Sequence, residues 1–153
     1  MEIIGKFQNI RPNTIAAALS DSFYWQSKAR QSINRAERVL FFFTALEAIV
    51  SRRDTTTPVS ETVARSTASL MSTEHAARSE ISAELKKMYA SRSKIVHQGM
   101  ASTYASVGSR LQEIVEIITK RVIKEADLGK PLNSFHEHLT EASFGSQLDL
   151  SKL

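Results

Sequence analysis

From Thr14 onward apolar residues recur at intervals of three and four, and no sustained alternation interrupts them, so the pattern predicts helices throughout and no strand. After "RPN", a first helix is expected from Thr14 to about Ala29, with Ile15, Leu19, Phe23, Tyr24 and Trp25 as buried or half-buried anchors. A second is expected from about Ser32 to Arg53; residues 39 to 50 are apolar nearly all round, which marks a central helix packed on several sides. Thr57-Pro58 reads as an N-cap followed by proline in the first helical position, opening a third helix to about Leu70. Ser72 or Thr73 begins a fourth that stops at Gly99. A fifth, from about Thr103 to Ala126, carries Val107, Leu111, Ile114, Val115, Ile118 and Val122 on one stripe before Gly129 and Pro131. The expected fold is therefore all-α, a compact bundle of about five helices over residues 1–132, with residues 133–153 as a C-terminal arm or peripheral helix.

Two charges break this pattern. In the fourth helix Ile81, Leu85, Met88, Arg92 and Ile95 follow a four-three-four-three spacing, which puts an arginine in the inward stripe. In the second, Ile33, Ala36, Leu40, Phe43, Glu47 and Val50 do the same for a glutamate. A charge buried alone costs several kcal/mol, so each requires a partner, and a Glu47–Arg92 pair between packed helices satisfies both. His97 follows Arg92 by five residues, about 140° around a regular helix, so the two side chains are expected to diverge within one copy. Two copies about a twofold axis could bring them together across a shared groove.

Length and composition narrow the class. The chain has 153 residues, 42% of them hydrophobic, enough for one domain with a core. Without cysteine it has no disulfide framework and no thiolate metal site, which fits a reducing compartment. The longest apolar run, "VLFFFTALEAIV", is about half the length of a membrane span and contains Glu47, and the N-terminus lacks the order of a signal peptide. A cytoplasmic protein without membrane partners is expected. No metal site and no cofactor is expected either: His75, His136 and His138 lie in polar segments and read as solvated.

Charge adds a location. The net charge is +4, and between Glu84 and Glu113 no acidic residue occurs, while Lys86, Lys87, Arg92, Lys94 and Arg110 do. That window is expected to carry a local positive field, with Lys86, Lys87, Lys94 and Arg110 as candidates for contact with a nucleic acid; the alternative is a solvated basic face with no partner.

The segment "MYASRSKIVHQG" resembles the signature of HEPN domains (higher eukaryotes and prokaryotes nucleotide-binding), in which an arginine, usually followed by a small polar residue, precedes a histidine by four to six positions. Arg92, Ser93 and His97 fit it. The preceding tyrosine, the Ile-Val before the histidine and the glycine after it resemble the Apea-like branch, as do "FFFTALEAIVSRR" and "ETVARSTASLM"; the resemblance covers about residues 23–125. It implies a helical bundle, often dimeric, that in many members cleaves RNA without metal in toxin, abortive-infection or antiphage systems. On that reading His97 moves protons, Arg92 stabilises phosphorane charge, Ser93 bonds the phosphate or orients His97, and Glu47 holds Arg92. The partners implied are RNA, a second copy, and an antitoxin or a larger defence complex. The alternatives are a non-catalytic HEPN module that binds RNA or a nucleotide or assembles such a complex, and an unrelated helical adaptor with a structural Glu–Arg pair.

Overall fold

Thr14 starts the first helix by bonding in both directions: its Oγ1 accepts from the Ala17 amide at 3.3 Å and donates to the Arg11 carbonyl at 2.7 Å. The computed structural model describes residues 7–52, 56–98 and 105–152. In them α1 (Ile15–Gln31), α2 (Arg35–Val50), α3 (Val59–Met71), α4 (His75–Gln98), α5 (Ala105–Glu125) and α6 (Leu132–Ser143) follow one another, with a short 3-10 turn at Leu150–Lys152. The described residues are all-α, and their helices number six where about five were expected. The N-terminal end of α1 is tied to the α5–α6 connection by an isolated bridge between Thr14 and Pro131.

The second helix starts later than its apolar pattern, because Asn34 takes the cap: its Oδ1 accepts from the amides of Ala36 and Glu37. Ile33 therefore falls outside the helix and is 99% exposed instead of joining the inward stripe. The third helix also slips, since Pro58 has an extended ψ of 135° and is itself the cap; no side chain, Thr57 included, caps this helix. The expected ends at Arg53, Gly99 and Thr103 lie outside the described residues.

Helix α2 is the central element. Val39, Phe42, Phe43, Leu46, Ile49 and Val50 are buried on nearly every side of it, against α1, α3, α4 and α5. The α5 stripe of Leu111, Ile114, Val115, Ile118 and Val122 is buried as its periodicity requires. On α1, Ile15 and Leu19 are core and Trp25 is half-buried against Phe41, while Phe23 and Tyr24 are exposed, with Lys28 over the Tyr24 ring.

The segment after residue 132 does more than lie on the surface. On α6 Phe135, Leu139 and Ala142 are buried, and Leu148 and Leu150 return the chain to the core. His136, expected in solvent, is 5% exposed. Its Nε2–H donates to the Ile49 carbonyl at 2.9 Å, a direction fixed because a carbonyl only accepts. No helix among the described residues is long and apolar enough to cross a membrane.

Candidate functional site

Helix α4 begins where Ser72 Oγ accepts from the Glu74 amide, and its 24 residues carry Lys86, Lys87, Arg92, Ser93, Lys94 and His97 on one rod. Leu85, Met88 and Ile95 anchor its inner stripe, with Ile81 half-buried at the start. Arg92 takes the expected place in that stripe, opposite Glu47 on α2; the two side chains keep 30% and 19% of their exposure.

Their pairing is indirect. Tyr89 Oη donates to Glu47 Oε1 at 2.5 Å, Arg92 Nη1 donates to Tyr89 Oη at 3.3 Å, and Arg92 Nη2 reaches Glu47 Oε2 only at 3.4 Å. The Arg92 guanidinium also lies 5.1 Å from the centre of the Tyr89 ring, a cation–π distance. Burial pushes the Tyr89 hydroxyl well above its ordinary range, and the bond to Glu47 adds to the effect, so Tyr89 stays a proton donor to the carboxylate. An arginine has five N–H donors. Two of Arg92's meet acceptors among the described residues, and the buried Nε has none.

In front of this arrangement opens a groove of about 550 Å³, walled by Ser60 of α3 and by Lys86, Tyr89, Arg92, Ser93 and His97 of α4. Arg92 and His97 therefore line one groove within a single copy, although about 140° of helical rotation separates them. Glu47 is not in its wall; it stands behind Arg92 and Tyr89. His97 and Ser93 are exposed, and His97 occupies the last turn of α4.

The basic window is less basic in space than along the chain. Helix packing brings Glu61 of α3 to within 2.6 Å of Lys86, which holds the Glu61 carboxyl below its usual range. Arg110 faces α4 in a two-point contact with Glu84, at 2.9 and 3.1 Å, and bonds Glu113 at 2.7 Å, which pushes its pKa upward. Arg110 does not line the groove, and its fork is engaged, so its expected contact with RNA has no structural support. Lys87 and Lys94 are exposed and make no ion pair among the described residues, and neither lines the groove.

Four wall residues, Ser60, Tyr89, Ala90 and Val96, escaped sequence reasoning as site members. Tyr89 precedes Arg92 by three, a same-face spacing that was the available signal. Ser60 lies on another helix and gave none. Among the described residues no group of three or more histidine, aspartate or glutamate side chains is placed to hold a metal ion. No family model matches the chain, and neither a curated protein nor a solved structure matches it.

Proposed function

We propose that the chain is a HEPN-type endoribonuclease acting as a homodimer, in the manner of toxin or antiphage effectors. The observation that carries this reading is the presence of Arg92, Ser93 and His97 in the wall of one open groove, with Tyr89 beside the arginine and Glu47 behind it holding the guanidinium. The chemistry is attack of an RNA 2′-hydroxyl on its neighbouring phosphorus. His97 takes the hydroxyl proton, the O2′–P bond forms and the P–O5′ bond breaks. The departing O5′ collects a proton from a second imidazolium, which a twofold copy supplies. Arg92 retains donors for the non-bridging oxygens, whose negative charge grows toward the phosphorane. Glu47 and Tyr89 hold the guanidinium in place, and Ser93 bonds the phosphate or the imidazole.

The single copy already groups arginine and histidine, so the dimer rests on the need for a second proton carrier and on Val96, which is 57% exposed in the groove wall next to His97. Pure protein incubated with mixed RNA in excess chelator is expected to release 2′,3′-cyclic phosphate ends, and the active species to sediment as a dimer. Cleavage that disappears with chelator, or 5′-phosphate products, would contradict this mechanism. The brace itself favours a second reading, a helical adaptor in which Arg92 only joins α2 to α4. Folded protein that neither cuts nor binds RNA assigns the chain to it.

A further inference from the structure

Three depressions on the face formed by α3, α4 and α6 share walls. The Arg92–His97 groove and a cavity of about 620 Å³ have Lys86 in common. That cavity and a smaller pocket of about 70 Å³ have Arg65 and Ser143 in common. The small pocket ends at Phe144, 76% exposed at the stop of α6, with the Arg65 guanidinium 5.7 Å from its ring centre. Gly145 follows at φ +109°, with open space where a side chain would stand. We infer that these depressions form one track for a single RNA strand several nucleotides long, whose scissile phosphate lies at Arg92 and His97, whose neighbouring phosphates meet Lys86 and Arg65, and one of whose bases stacks on Phe144. The inference rests on the ribonuclease reading and names its substrate.

Charge and shape both point to a nucleic acid strand. Between Lys86 and Arg65 sits Glu61, bonded to each at 2.6 Å with a different carboxylate oxygen. A phosphate presents two anionic oxygens in much the same way, so Glu61 occupies a phosphate's place between two cations. Both cations are 46% exposed and Glu61 keeps 25% of its exposure, so an entering phosphate can reach both cations from solvent and compete with the carboxylate. The cavity between is lined by hydroxyls, among them Ser69, which is 1% exposed and whose Oγ has no hydrogen-bond partner among the described residues. An exposed phenyl ring backed by an arginine suits any base, which is the sequence-tolerant way single strands are held. Arg78 also lines the middle cavity, but it bonds the Ser72 and Ala142 carbonyls and fastens the ends of α3 and α6, so it acts as a staple and no phosphate is assigned to it. His75 in the middle cavity and His97 in the groove stand roughly 33 Å apart along α4 at the usual helical rise, room for several nucleotides.

The test uses fully 2′-O-methylated RNA, which lacks the attacking hydroxyl and so reports binding alone. By fluorescence anisotropy the unmodified protein is expected to bind a strand of about ten nucleotides at least tenfold more tightly than a dinucleotide. Phe144→Ala and Arg65→Ala change exposed side chains, and an unchanged melting temperature checks that the fold is intact; each is expected to remove most of that gain. Glu61→Gln is expected to tighten binding of the long strand, since it releases both cations. Equal affinity for the two lengths, or a length dependence untouched by Phe144→Ala and Arg65→Ala, overturns the track. Length-dependent binding through Phe144 without cleavage of ordinary RNA upholds the track and removes the ribonuclease reading. Cleavage indifferent to strand length and to Phe144 does the reverse.

Discussion

Glu47 is bonded more closely by Tyr89 than by Arg92, and that order decides what each residue contributes. Tyr89→Phe removes a hydroxyl donated to a largely buried carboxylate and leaves Glu47 with a contact at 3.4 Å, an expected loss of about 1.5–3 kcal/mol. Arg92→Met leaves Glu47 its tyrosine, so a smaller loss, about 1 kcal/mol, is expected. Urea denaturation of the two variants measures the order directly, and the reverse order would make the ion pair the main support. The misplacement of two charges was legible in the sequence, because a four-three spacing puts Arg92 and Glu47 inward whatever their neighbours are. The mediation by Tyr89 was not legible, since it depends on the distance between α2 and α4. The pairing of Lys86 with Glu61 and of Arg110 with Glu84 was hidden for the same reason: in each the acid arrives from another helix.

At the scale of elements, helix α6 couples the C-terminal segment to the centre of the bundle. The four-three spacing of Phe135, Leu139 and Ala142 was readable, but Asn133, Ser134, His136, Glu137 and His138 dilute it, and the segment was expected at the periphery. The other helices were legible from periodicity, with ends displaced where Asn34 and Pro58 took the caps. His136 gives α6 a measurable pH response. Burial holds its imidazole below the ordinary value of about 6.5, aided by the nearby Arg52 charge and opposed by the bond to Ile49. The unfolded chain therefore takes up a proton that the folded one resists. The contribution is fully present above about pH 6.5 and is lost as pH falls from there through the folded value. Thermal melts between about pH 8 and about pH 5 are expected to show this loss, and His136→Gln, which keeps a donor for Ile49, to flatten it. Equal pH dependence in the two proteins would place the response elsewhere.

For the whole molecule, the face of α3, α4 and α6 gathers the open groove, the adjoining cavities and the bare Phe144 ring. The opposite requirement, a stable frame behind it, is met by α2 packed against α1, α3, α4 and α5. Because His97 is exposed at the end of α4, its removal leaves that frame untouched. The most direct test of the account is cleavage of a DNA strand that carries one ribonucleotide. The protein is expected to cut once, immediately 3′ of the ribose, and to leave a 2′,3′-cyclic phosphate. His97→Ala, with an unchanged melting temperature, is expected to cut at least about a hundredfold more slowly. A His97→Ala protein that cuts at the original rate, or an original protein that cuts the all-deoxy strand equally well, would contradict the account.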